Sequence, residues 1–207
     1  MSTAYISIGS NLGDRLEYIR GAIRKLKQSK EIEICRASSV YETEPVEYRV
    51  KGQGSKVEKQ PWFLNMILEL ETTLEPSNLL ELLLGIENQM GRTRPALRPE
   101  TQCRRKGLSR RKKNQTQGTE FVRYGPRNID LDLLLYDDLV LNSDKLTLPH
   151  PRMHQRKFVL VPLAEITPKV VHPLLKKSVE KLLEELSTDS AFEKNEFEVR
   201  LYSEKVM

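Results

Sequence analysis

The run "RYGPRNIDLDLLLYDDLVL", residues 123–141, carries Asp130 and Asp132 into an otherwise apolar segment. Strand side chains alternate faces at period two, so Ile129, Leu131, Leu133 and Leu135 are expected on one face and Asp130, Asp132, Leu134 and Tyr136 on the other. Both carboxylates then point the same way, roughly 7 Å apart. Like charges this close in a partly dry place repel unless something positive sits between them. Hard carboxylate oxygens suit a divalent cation of the magnesium type. Just upstream, Gly125-Pro126 makes a stiff turn flanked by Arg123 and Arg127, and a guanidinium fork matches phosphate oxygens in two-point contacts. A D-x-D on a solvated edge strand would need neither the turn nor the apolar continuation. Their presence favours a metal-assisted site for a phosphate-bearing ligand.

The elements that must hold this pair alternate irregularly along the chain. "TAYISIGS" predicts a first strand, and "NLGDRLEYIRGAIRKLKQS" a turn and an amphipathic helix with Leu16, Ile19, Ile23 and Leu26 on one stripe, capped by Asn11 or Asp14. "IEICRASSVYET" predicts a second strand, followed by a loop from Pro45 to Pro61. "WFLNMILELETTL" predicts a third strand, and "NLLELLLGIENQMG" a helix stopped at Gly91. A basic loop, the D-x-D strand and a hairpin-like "DDLVLNSDKLTLPHPRM" follow. After them come the helical or extended run "KFVLVPLAEI", a helix near Val179 to Leu186 and a last strand "EFEVRLYS". This order favours one antiparallel sheet with helices on its faces over a doubly wound parallel sheet.

Composition narrows the class further. With 38% hydrophobic and 30% charged residues in 207, the chain is expected to form a single domain over 1–207 with a real core. No run of about 18 apolar residues predicts a membrane span, and the N-terminus lacks a secretory pattern, so a cytoplasmic protein without a membrane partner is expected. Cys35 and Cys103 fall in unlike contexts and are expected to be free thiols. The net charge of +5 is concentrated: residues 95–122 hold eight basic against two acidic residues, a balance of +6, and the rest of the chain is at -1. Neither G-x-x-x-x-G-K-[ST] nor G-x-G-x-x-G occurs, so any bound nucleotide must be held by side chains and metal and not by a glycine cradle.

Taken in order, "AYISIGSNLGDR", "YETEP", "QPWFLNMILELET", "IENQMGRTR", "YGPRNIDLDLLLY" and "LPHPRMHQRKFVLVPLAEI" resemble 6-hydroxymethyl-7,8-dihydropterin pyrophosphokinase, a folate-pathway family, from about residue 4 to 168. The resemblance implies an α+β fold, a ferredoxin-like α/β sandwich with a mostly antiparallel sheet and two enlarged loops. It also implies transfer of pyrophosphate from the co-substrate ATP to the pterin hydroxymethyl group, with release of AMP. Carried over by position, it makes Asp130 and Asp132 ligands of two magnesium ions and Arg92 and Arg127 the catalytic phosphate clamps. Glu87, Arg94, Lys145, Thr147, His150 and Arg156 fall on nucleotide-binding positions. Phe63 and Phe158 fall on the positions that stack the pterin, Asn65 on the one that reads its edge, and backbone groups from Thr43 to Val46 complete that edge.

The chain also departs from the family pattern. Leu84 stands where a glutamine is usual, Lys145 where some members have arginine, and Tyr124 where tryptophan or asparagine is frequent. The loop over 95–122 is an insertion, and Val46 to Lys59 is enlarged. A nucleotidyltransferase with a G-S turn would share "IGS" and "DLD", but there the two lie close together in sequence. The run "CRRKGLSRRKK" can neutralise nucleic-acid phosphates. No aromatic residues interleave with it, which argues for a solvated loop and against a nucleic-acid partner.

Overall fold

In a computed structural model of the chain, residues 1–45, 61–92, 127–188, 198–203 and 206 are described. The first strand, β1 (Ser2–Ser10), runs into a turn where Gly13 takes a positive φ of 59°. Helix α1 (Arg15–Leu26) follows and is capped by Asp14, whose side chain accepts the Glu17 N–H at 3.0 Å. Ile19, Ala22, Ile23 and Leu26 form its buried stripe at the spacing expected of a helix lying on a sheet. The expected second strand is two, β2 (Ile32–Ala37) and β3 (Val40–Thr43). The break is at Ser38-Ser39, where the Ser38 hydroxyl accepts the Ile67 N–H at 2.9 Å and so replaces a ladder bond. Strand β4 (Phe63–Thr72), helix α2 (Pro76–Gln89) with Pro76 in its first turn, and β5 (Asp130–Tyr136) complete a β-α-β-β-β-α-β core.

Strand order is β5-β1-β4-β3, with β2 also paired to β4, and every pairing is antiparallel. This is the α+β architecture expected from the sequence. One face of the sheet packs on α1 and α2 through Ile6, Ile8, Leu64, Met66, Leu68, Ile129, Leu131 and Leu133, with Leu83 and Ile86 from α2. The expected alternation in β5 holds only as far as Leu133. A bulge between the pairs Tyr5–Leu135 and Ile6–Leu133 leaves Leu134 unpaired, and an inserted residue reverses the facing of all that follows. Tyr136 therefore joins the α1/α2 face with Leu133, and Leu135 joins Leu134 on the opposite face, the reverse of the expected placement.

Beyond the core, β6 (Leu141–Asn142) and β7 (Thr147–Leu148) form the expected hairpin. A 3-10 turn (Met153–Gln155) leads into α3 (Lys157–Ile166), so the run with two possible readings is a helix. With α4 (Val179–Thr188) it covers the second face of the sheet, burying Val159, Leu160, Leu163, Leu182 and Leu186 against Tyr5, Ile67 and Leu134. Strand β8 (Val199–Ser203) pairs with β3 at the far edge. Cys35 is a free, exposed thiol, and Cys103 lies outside the described residues. Among the described residues no helix is long and apolar enough to cross a membrane.

Candidate active site

The face covered by α3 and α4 carries a row of polar positions at its open end. Register places Asp132 beside Ser7, Asp130 beside Gly9, Gly9 beside Asn65, and Asn65 beside Tyr41. Residues directly opposite in antiparallel strands share a face, so Asp130, Asp132 and Asn65 emerge together, with Phe63 two residues before Asn65 on the same side. Gly9 is what permits the row. A Cβ at this position would stand 2.9 Å from the Asn65 side-chain oxygen. The Asn65 amide donates to the Thr43 hydroxyl at 2.7 Å, and both residues are buried.

Around the aspartates the structure gathers arginines from three elements. Arg92 follows α2, where Gly91 turns the chain at φ 84°, and its guanidinium pairs with both Glu87 and Asp130. Glu87 is fully buried. Its carboxylate also accepts the Leu131 N–H at 2.7 Å, so it closes the outer edge of β5 and aims Arg92. Arg127 pairs with Asp130 from the turn before β5. Arg156 lies 3.9 Å from Asp132 and over the Phe158 ring at 5.3 Å. The positive groups that the sequence required near the aspartate pair are thus present as side chains.

Asn11 fastens this assembly. Its backbone N–H donates to the Arg127 carbonyl at 3.1 Å. Its side-chain oxygen accepts the Arg127 N–H at 2.6 Å, and its side-chain nitrogen donates to the Pro61 carbonyl at 3.3 Å.

His150 enters through the bulge: its N–H donates to the carbonyl of unpaired Leu134 at 2.8 Å. Burial, then Arg156 and Arg152, lower its pKa to about 4. The ring is therefore neutral at pH 7. Its Nδ1 accepts the Arg152 N–H at 3.3 Å, which leaves the proton on Nε2 as a donor suited to an anionic oxygen. Arg152 was not singled out from the sequence, although its place in "PHPR" put it two residues from His150. The described cluster holds Arg92, Arg127, Arg152 and Arg156 against Glu87, Asp130 and Asp132, a positive balance that fits phosphate.

The remaining expected residues divide into two groups. Thr147 donates to Asn142 at 3.3 Å within the β6–β7 hairpin, and Lys145 is exposed in its turn. Val46, Arg94, Arg123, Tyr124 and residues 95–122, expected as a loop, lie outside the described residues. A cavity of about 510 Å³ lined by Asn11, Arg15, Glu42, Trp62 and Arg200 opens at the same end of the sheet on the α1 side, apart from the aspartates.

Similarity to known proteins follows the same residues. The model of the family described as 7,8-dihydro-6-hydroxymethylpterin-pyrophosphokinase matches residues 5–168. The 2-amino-4-hydroxy-6-hydroxymethyldihydropteridine pyrophosphokinase of Bacillus subtilis is 41% identical over 167 residues, covering 81% of this chain and 79% of that protein. The protein of the same name from Aquifex aeolicus is 35% identical over 87% of this chain and 90% of its own length. Among solved structures, Plasmodium falciparum HPPK-DHPS with pteroate superimposes with a TM-score of 0.60 at 12% identity. That match covers 94% of this chain and 45% of the longer one, and it speaks for the fold alone.

Proposed function

The chain belongs to the 7,8-dihydro-6-hydroxymethylpterin-pyrophosphokinase family, and on that premise we propose that it transfers pyrophosphate from ATP to the hydroxymethyl group of 6-hydroxymethyl-7,8-dihydropterin in folate biosynthesis. The observation that carries this reading is the row Asp132, Asp130, Gly9, Asn65 on one sheet face, with three arginines over its aspartate end. In the reaction the hydroxymethyl oxygen attacks the β-phosphorus in line. The bond from that phosphorus to the oxygen bridging the α-phosphate breaks, AMP leaves with that oxygen, and the hydroxyl proton passes to solvent.

Asp130 and Asp132 are the proposed magnesium ligands. The donor set fits: two hard carboxylates share a face, their side chains are 16% and 33% exposed, and phosphate oxygens and water can fill the other positions. Two bound magnesium ions would supply neutralisation of phosphate charge and alignment of the chain for attack. Arg92 and Arg127 now lean on Asp130. A triphosphate offers them the same oxygen geometry with more charge, so these guanidiniums turn to the transferred group, where stabilisation of developing charge is worth most. Glu87 acts on ATP through its hold on Arg92. His150 donates from Nε2, Arg156 balances phosphate charge, and Arg94, Lys145 and Thr147 take the remainder of the nucleotide.

The pterin lies on the Asn65 end. Its flat ring stacks between Phe63 and Phe158, and Asn65, with backbone groups of Thr43 to Val46, reads the amide edge. The Thr43 hydroxyl fixes which way the Asn65 amide faces, because it takes the Nδ2 hydrogen. Incubation with ATP, magnesium and hydroxymethyldihydropterin should yield AMP and the pterin pyrophosphate in equal amounts. Formation of ADP, or no conversion by folded protein, would overturn the assignment.

A further inference from the structure

The chain has three histidines, and two of them lie outside the site just described. His172 is 3% exposed, and its Nδ1 accepts the backbone N–H groups of Leu174 at 3.3 Å and Leu175 at 3.2 Å. A neutral ring whose Nδ1 lone pair is used in this way carries its proton on Nε2. That Nε2 is buried and has no hydrogen-bond partner among the described residues. His154, on the 3-10 turn, meets it edge to face, with ring centroids 5.9 Å apart at 88°. The Nδ1 of His154 is also buried without a partner among the described residues, and its Nε2 lies 3.1 Å from the side-chain nitrogen of Gln155.

Buried polar groups in folded proteins are almost always paired, so two orphan nitrogens on adjacent rings call for one explanation. The tautomers supply it. With the Gln155 amide turned over, so that its oxygen takes the place of the nitrogen facing His154, it accepts from His154 Nε2–H, and Nδ1 is left as a lone pair. A buried donor, His172 Nε2–H, and a buried acceptor, His154 Nδ1, then belong to two rings in edge-to-face contact, and rotation of the partly exposed His154 ring is what would join them. The other tautomer of His154 would bury two N–H donors side by side. Burial lowers the pKa of both histidines, and His154 lowers that of His172 further, so both rings are neutral at pH 7.

The turn that carries His154 also carries the nucleotide residues. Met153 N–H donates to the His150 carbonyl at 3.1 Å, Gln155 N–H to Arg152 at 3.2 Å, and Arg156 N–H to Met153 at 3.3 Å. Residues 150–156 therefore form one connected set of turns, fixed to the second core by fully buried Met153. We propose that Leu174 and Leu175, His172, His154 and Gln155 form a single directional chain of hydrogen bonds that ties this set of turns to the 170–178 loop and positions His150 and Arg156 for the triphosphate. His154 and His172 touch no substrate in this scheme and are positioning residues. The inference rests on the assignment of His150 and Arg156 to ATP.

The test pairs spectroscopy with kinetics on the full chain. Long-range nitrogen–proton correlation spectra of the histidines at pH 7 should show the Nε2–H tautomer for both His154 and His172. His172→Asn keeps an acceptor where Nδ1 stands, and so keeps the turn, but removes the Nε2–H. It should raise the KM for ATP about fivefold, the equivalent of one neutral hydrogen bond, with kcat and the pterin KM within about twofold. His154→Leu should match it, and His154→Asn, whose oxygen replaces Nδ1, should restore the ATP KM. An Nδ1–H tautomer at His154, an unchanged ATP KM in His172→Asn, or equal rises for both substrates would overturn the proposal. A wild-type protein that makes no AMP would instead sink the functional reading alone, because the tautomers are read without substrate.

Discussion

Gly9→Ala adds one methyl group at the point where the two halves of the site meet. The new Cβ would stand 2.9 Å from the Asn65 side-chain oxygen and 4.0 Å from the Asp130 Cβ. Comfortable contact begins near 3.4 Å, so the amide must retreat by about 0.5 Å while Asp130 has room. Asn65 cannot retreat without disturbing its 2.7 Å bond to Thr43, and both groups are buried. Overpacking of this kind costs about 1 to 3 kcal/mol, part of it the weakened hydrogen bond. For a chain of this size the melting temperature should fall by roughly 2 to 12 °C. The displaced amide also misses the pterin edge, so pterin affinity should drop by about 10- to 100-fold, or 1.4 to 2.8 kcal/mol. ATP affinity should stay within about twofold, because the aspartates and arginines do not move. Calorimetric titration of each ligand at fixed magnesium, with an unreactive ATP analogue, measures both. Unchanged pterin affinity in a folded variant, or matched losses for the two ligands, would refute the argument.

Asp130→Ala and Asp132→Ala should each lower turnover by orders of magnitude with the fold retained, since one lost metal ligand costs several kcal/mol in the transition state; near-normal AMP production by either variant would remove the metal assignment. Replacing residues 95–122, which carry a net +6, with a short Gly-Ser linker should slow ATP association, most at low salt, with saturated turnover changing less than about tenfold. Stopped-flow binding at two ionic strengths checks this, and a collapsed turnover would instead make the segment part of the catalytic machinery. Without ligands, all three histidines have pKa values lowered by burial, His150 to about 4. Their contribution to stability is complete above the unfolded value near 6.5 and is lost as pH falls through the folded values. Histidine ring-proton titration should show His150 still neutral at pH 5.5, and a midpoint near 6.5 would contradict the burial argument.

Much of the site was legible because it depends on local periodicity. Two aspartates at period two must share a face, and they do, because the bulge in β5 comes after them. The same rule misplaced Leu135 and Tyr136, since nothing in "DLDLLLY" marks where an extra residue will be left unpaired. The break between β2 and β3 was hidden for a similar reason: Ser38-Ser39 suits a strand, and only the tertiary partners Ile67 and Glu165 interrupt it. "KFVLVPLAEI" could not be assigned by pattern because it is apolar on every side and contains Pro162; packing between the sheet and α4 decides for helix. The nucleotide and pterin positions came from the family resemblance and not from spacing. No pattern in "IENQMGR" could show that Glu87 is wholly buried, since a glutamate there satisfies a helix surface equally well. Its role depends on the edge N–H of Leu131 and on Arg92, which tertiary structure alone brings to it.

Asn11 has a consequence for how such a chain can diverge. Its side-chain amide and backbone hold Pro61 and Arg127, the first described residues after segments 46–60 and 93–126. With both return points fixed to one strand-to-helix turn, residues can be inserted upstream of either without moving Phe63, Asn65, Asp130 or Asp132. Where an inserted segment is a flexible loop, the entropic penalty of growth is small, about 0.6 kcal/mol for each doubling of length. Length and composition in those two segments are therefore free to drift toward whatever a given cell requires of substrate capture, while the geometry of the chemistry is inherited unchanged.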